Sequence, residues 1–240
     1  MRHKATVVCA HPDDLEYFCG GAVSVMIRDD WDICLIIATD GDKGTQDREM
    51  SAARLASERR HESMKAAKIV GISKVFFLGK EDGELRSDNS LRPAITRILR
   101  SEQPERLITF DPWRKYELHP DHREIGFAAL DARLAARLPL YYPEQLRDGL
   151  ENWTIREVLL FSTDNPDYFV DISDTFDLKL QALRAHKSQW ETIWQETRSD
   201  LLHEAERMGA MAGCELAEGF KRIYIPEGPV SIKFEHERGD

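Results

Sequence analysis

The sequence predicts an α/β protein with a Rossmann-like three-layer fold and a mostly parallel sheet. Three observations carry that reading. Short runs rich in Val, Ile and Leu recur through the first half of the chain. Longer stretches with apolar residues at helical spacing separate them. The runs are apolar at consecutive positions rather than alternating, as expected for strands covered on both faces.

In chain order, residues 4–10 (KATVVCA) read as the first strand. Residues 15–29 read as a helix with Leu15, Phe18, Ala22, Val23 and Met26 as its apolar positions. Residues 33–39 (ICLIIAT) form the second strand, and 48–70 a long amphipathic helix closed by Gly71, the residue type that tolerates a left-handed cap. Residues 74–79 are the third strand, 91–100 a helix, 106–112 the fourth strand, and a helix follows from Pro120 to about Arg137. From about residue 140 the pattern is less regular. Residues 157–163 and 168–173 suggest two more strands, and 174–219 carry helical periodicity with a break near Arg198–Ser199. The tail at 223–236 suggests a terminal strand. No repeat or low-complexity linker interrupts the chain, so residues 1–240 are expected to form a single domain, in line with about 150 residues per domain as a soft prior.

Composition narrows the function. The chain holds 33 basic and 43 acidic residues, a net charge of −10, which disfavours nucleic acid and anionic membrane surfaces as partners. No apolar run approaches the roughly 20 residues of a membrane span. The start, Met-Arg-His-Lys, leads straight into a strand-like run with no cleavage site, so no signal peptide is expected and the expected compartment is the cytoplasm. Cys9, Cys19, Cys34 and Cys214 lack metal-type spacing. The first three lie in apolar runs and read as small buried hydrophobes, although Cys9 and Cys19 flank the motif described next.

In an open parallel sheet, ligands bind beyond the carboxyl ends of the strands. After the first strand stands Ala10-His11-Pro12-Asp13-Asp14, where a dinucleotide-binding fold would carry G-x-G-x-x-G. After the fourth comes Asp111-Pro112-Trp113-Arg114-Lys115-Tyr116-Glu117-Leu118-His119-Pro120-Asp121-His122. His119 and His122, three apart at a helix start, can share one side of the first turn. Either motif alone is readily explained as a helix cap. Together, at the ends of two core strands, they offer the His-carboxylate-His set of a catalytic zinc site.

These residues also carry a family likeness. AHPDDLEYFCGG resembles the first signature of the PIG-L/LmbE-like deacetylases, the family of N-acetylglucosaminyl-phosphatidylinositol deacetylases and their bacterial relatives in thiol biosynthesis, and HPDHREIG resembles the second. Between them, Thr39-Asp40-Gly41-Asp42 is similar to T-x-G-E, Arg59-x-x-Glu62 to an R-x-x-E helix, and Phe77-Leu78-Gly79 with Asp82-Gly83 to FLG-x-x-D-G. Further on, Ala185-His186-Lys187-Ser188-Gln189 resembles A-H-x-S-Q. The likeness implies that His11, Asp14 and His122 bind zinc, with iron(II) as the alternative metal. It implies that Asp13 is the general base, and that His119 stabilises the oxyanion or protonates the leaving amine. Arg59 and Asp82 would line the substrate pocket, Asp82 also being placed to hold an imidazole. The implied activity is removal of acetyl from an N-acetylglucosamine-type sugar or conjugate.

Several readings stay open. Arg59 shares its helix with Arg54, Glu58, Arg60 and Glu62, so a surface ion pair is the competing account. His186 reads as a structural hydrogen-bonder, and His3, His61, His203 and His236 as surface groups. Asp42 replaces the longer Glu of T-x-G-E, and Glu117 stands where some relatives place Tyr, with Tyr116 one position earlier. The aromatic and basic residues at 113–116 suit either a sugar or a subunit interface, and a homo-oligomer is expected. An amidase acting on a larger amide, or a catalytically silent sugar-binding protein, are the alternative functions; a dinucleotide-dependent oxidoreductase is disfavoured by the missing glycine fingerprint.

Overall fold

A computed structural model describes residues 2–226. Among these residues seven strands form one sheet in the order β3-β2-β1-β4-β5-β7-β6. The strands β1 (Lys4–Cys9), β2 (Asp32–Thr39), β3 (Lys74–Lys80), β4 (Arg106–Phe110) and β5 (Glu157–Phe161) pair in parallel. Their central members are buried on both faces, which is why Val, Ile and Leu follow one another without alternation. β7 (Ala217–Tyr224) pairs antiparallel with both β5 and β6 (Tyr168–Asp171).

Helices cover the sheet in two groups. α1 (Asp14–Arg28), α2 (Ala52–Val70) and α6 (Phe176–Leu183) pack together, as do α3 (Arg92–Glu102) and α4 (Pro120–Arg137). Short α5 (Pro143–Arg147) follows α4, and the long α8 (Trp194–Ala212) lies against β6 and β7. Among the described residues, no helix is long and apolar enough to cross a membrane. Ser51 caps α2 by accepting from Arg54 N, so that helix starts four residues later than its periodicity suggests. Gly71 ends it at φ 99°.

The segment at 174–219 is divided differently from the sequence expectation. The helical run breaks between Leu183 and Trp194, with only the four-residue α7 (Lys187–Trp190) in the gap, while Arg198 and Ser199 are exposed residues inside α8. The break is made by tertiary contacts: Ser188 and Trp190 are drawn onto side chains of α2 and of the turn before α1. Ala217–Gly219 belong to β7 rather than to a helix. Of the strand expected at 223–236, only Ile223 and Tyr224 fall in β7; residues 227–240, His236 among them, lie outside the described residues.

Candidate metal and catalytic site

β1 and β4 are adjacent and parallel, so the loops leaving their carboxyl ends meet. The chain turns from β1 into α1 through His11-Pro12-Asp13, and Asp14 Oδ2 closes that turn by accepting from Ala10 N (3.0 Å) and His11 N (2.7 Å). His11 Nδ1 lies 3.5 Å from the same oxygen. From the β4 side, His119 caps α4 and His122 sits in its first turn, stacked on Phe110 with centroids 4.1 Å apart. His122 Nε2 is 3.6 Å from Asp14 Oδ1, and the His119 ring is 4.5 Å from both His11 and His122.

Two groups of potential ligands result among the described residues: His11 with His119 and His122, and His11 with Asp82 and Asp121. They divide on the two nitrogens of one imidazole. His11 Nε2 is held by Asp121 Oδ2 (3.1 Å) and Asp82 Oδ1 (3.2 Å), leaving Nδ1 to face Asp14. A carboxylate on the outer nitrogen of a histidine is the usual support of a metal ligand. Asp121 is fully buried and also accepts from Gly83 N (2.7 Å) and Leu85 N (3.1 Å). His11, His119 and His122 lie close enough to share one ion. Asp14, 3.5 Å from His11 Nδ1 through Oδ2 and 3.6 Å from His122 Nε2 through Oδ1, adds a carboxylate beside them, donors of the kind that suit a divalent metal. Among the described residues, His119 Nδ1 and His122 Nδ1 are buried without a hydrogen-bond partner, although Glu117 Oε1 stands 3.5 Å from the latter.

The charges follow the same geometry. Burial pulls the His11 imidazole down, but Asp14, Asp121 and Asp82 outweigh it and hold it well above its ordinary value. Burial lifts Asp14, yet His11 and His122 keep it far below the usual carboxylate range. Asp13 is pushed up by burial against the pull of Arg59. His119 is lowered by burial and by its two imidazole neighbours.

Asp13 caps α1 at φ 96°, a left-handed conformation rare for a non-glycine residue. Its Oδ1 accepts from Arg59 Nη2 (3.2 Å) and its Oδ2 from Trp190 Nε1 (3.0 Å). Arg59 is buried and not on the surface; it also donates to Pro12 O (2.6 Å) and Gly41 O (2.9 Å). His186 is completely buried, with Glu16 Oε2 3.4 Å from its Nε2. Among the described residues Asp42 Oδ1 is buried without a partner, and Tyr116 points into solvent at 93% exposure. A cleft of about 740 Å³ opens beside His122, lined by Tyr17, Phe18, Arg114, Glu117 and Lys179 and reaching α8.

Sequence reasoning missed Asp121 and Trp190. Asp121 had a signal, since it stands between the two histidines of the second motif. Trp190 had only its position one residue after the A-H-x-S-Q stretch.

Comparison with known proteins identifies the family. The family model for GlcNAc-PI de-N-acetylase (PIG-L) matches residues 6–133. The chain is 36% identical over 221 residues to diacetylchitobiose deacetylase of Thermococcus kodakarensis, covering 92% of this chain and 83% of that protein. It is 30% identical to a probable N-acetyl-α-D-glucosaminyl L-malate deacetylase 2 of Bacillus cereus, with 84% and 90% covered. Among solved structures, N,N′-diacetylchitobiose deacetylase from Pyrococcus horikoshii superposes with a TM-score of 0.90 at 34% identity, covering 93% of this chain and 84% of that one. With the family model spanning both histidine motifs and a relative matched over nearly the whole chain, this protein belongs to the PIG-L deacetylase family.

Proposed function

We propose that the protein is a zinc-dependent hydrolase that removes the acetyl group from an N-acetylglucosamine-type sugar. The observation that carries this reading is the convergence of three imidazoles and Asp14 beside a separate, doubly held carboxylate, Asp13. His11, Asp14 and His122 would hold the metal; iron(II) suits the same donors. A bound zinc supplies polarisation of the amide carbonyl and a water acidic enough to ionise near neutral pH. Asp13, next in sequence to a ligand, takes the proton of the attacking water. His119, 4.5 Å ring to ring from both histidine ligands, donates to the carbonyl oxygen as it gains charge, or passes a proton to the departing amine.

For Arg59 and Asp82 the proposal is narrower than a free substrate anchor. Asp82 already braces His11 and Arg59 already braces Asp13, so contact with the sugar requires each to share its present partner. The cleft beside His122 gives room for the rest of the saccharide. Exposed Trp113, Tyr116 and Leu118, in the loop before α4, support a homo-oligomer as the working assembly, and four free thiols suit a reducing cytoplasm.

The test is metal analysis with an acetate-release screen over N-acetylated amino sugars, beginning with N,N′-diacetylchitobiose and N-acetylglucosamine. Acetate release that follows metal content and falls steeply, to a small residual rate, in Asp13→Ala is the expected result. Release from larger N-acyl conjugates alone would make the protein an amidase, and saccharide binding without turnover would make it a silent binder.

A further inference from the structure

We infer that Trp190 is a positioning residue for Asp13, supplied by the portion of the chain beyond the 6–133 family match. The inference rests on the reading of Asp13 as the general base. Each oxygen of that carboxylate is held by a different donor from a different element: Arg59 of α2 on Oδ1 and Trp190 of α7 on Oδ2. One N–H per oxygen leaves each oxygen a second lone pair, and it fixes the plane of the carboxylate. A base free to rotate would spend part of its time with those lone pairs turned away from the water it must deprotonate.

The donor type matters. An indole N–H donates and never accepts, so it bonds to a carboxylate oxygen in one sense only. It also leaves the charge of the site unchanged, unlike a second arginine. Asp13 needs such support because its backbone sits in the left-handed region, a strain that persists only where the surroundings over-determine it.

Trp190 is itself fixed. A four-residue helix has no stability of its own, and α7 is fastened by its neighbours. Ser188 donates to Glu62 through N (2.9 Å) and Oγ (2.7 Å), and Gln189 Nε2 donates to Gly44 O (3.0 Å). The indole stacks on Tyr17, 5.4 Å between centroids and 20° from parallel, and Tyr17 in turn lines the cleft. The bracket thus runs from α2 and the loop after β2, through α7, to the base.

Trp190→Phe keeps the ring and its stacking and deletes the N–H. Because a hydrogen bond to a charged group contributes strongly, kcat for acetate release should fall about ten-fold or more while KM and bound metal stay near wild type. In an Asp13→Ala background the same substitution should cost nothing further, since Trp190 acts through Asp13. A second readout needs no substrate. The chain has five tryptophans, and the indole N–H resonance lost in Trp190→Phe identifies the one in question. That resonance should lie downfield in the metal-loaded wild type and move upfield in Asp13→Ala. Unchanged kcat in Trp190→Phe, an equal loss in the Asp13→Ala background, or an indole signal indifferent to Asp13 would each overturn the inference. If the wild type released no acetate from any N-acetyl sugar, the deacetylase reading would fail. The inference would fail with it as a catalytic statement, while the resonance would still decide the hydrogen bond.

Discussion

Asp121 shows how much of a metal site lies behind its ligands. Burial raises its carboxyl, but His11 and the N–H groups of Gly83 and Leu85 outweigh that and hold it ionised. An ionised acceptor on Nε2 keeps the proton there and leaves Nδ1 bare for a metal. Asp121→Asn should therefore weaken metal binding about 10- to 100-fold, read by competition with a chromogenic chelator; an unchanged affinity would show that Asp82 alone orients the ring. Arg59→Ala should lower kcat/KM for acetate release about ten- to a hundred-fold, and Lys should restore little. The guanidinium spans three acceptors on Gly41, Pro12 and Asp13, which a single ammonium cannot do together. A kcat/KM equal to wild type in Arg59→Lys would show that only the charge matters. The sequence made the histidines legible because two motifs repeat one residue type at strand ends. Asp121 was harder to read, since its partner His11 stands 110 positions away and an acid in a first helical turn already has a local explanation.

At the scale of elements, α1 is two helical pieces joined at Cys19, whose φ of −143° breaks the ladder. The groups freed there find partners on distant segments. Tyr17 O accepts from Lys179 Nζ (2.7 Å), while Gly21 N and Ala22 N donate to the two oxygens of Glu218 (3.1 and 2.7 Å). Lys179 and Glu218 are themselves paired at 2.5 Å and buried. α1 carries Asp13 and Asp14 at one end and packs against α6. Glu218→Ala would strand the ammonium and two N–H groups, so chemical denaturation should report a loss of about 3–5 kcal/mol, with Glu218→Gln losing less. Gly21 needs its hydrogen for a different reason: a Cβ there would meet Ile172 at 2.8 Å. The Gly20-Gly21 pair was visible in the sequence, but the break was not, because its caps come from β7 and α6. The same blindness misplaced the interruption in the C-terminal helices: Arg198 and Ser199 lack nothing that a helix needs, whereas 184–193 is kept from continuing α6 into α8, and reduced to the short α7, by what it touches.

For the whole molecule, the functional consequence comes from strand order. The β1–β4 boundary is where the chain, having built outward to β3, returns to the other side of β1, and that switch point leaves a crevice at the carboxyl edge. Both motifs empty into it. The sequence disclosed the parallel half through its doubly apolar strands, but the insertion of antiparallel β7 between β5 and β6 has no local signature, since pairing partners are not written in a strand's own residues. A metal at the switch point would tie the β1–α1 turn to the start of α4, joining segments that otherwise meet through imidazole and carboxylate contacts. Binding to the folded state alone stabilises it by about 2.7 kcal/mol when free metal is one hundred times Kd. For a domain of this size each kcal/mol moves Tm by about 2–4 °C. Chelation should thus lower Tm by roughly 5–10 °C, reversed by zinc. The two adjacent carboxylates separate the cause: Asp14→Ala should abolish the difference between chelated and zinc-loaded protein, and Asp13→Ala should keep it. The opposite pattern would exchange their roles and make Asp13 the ligand.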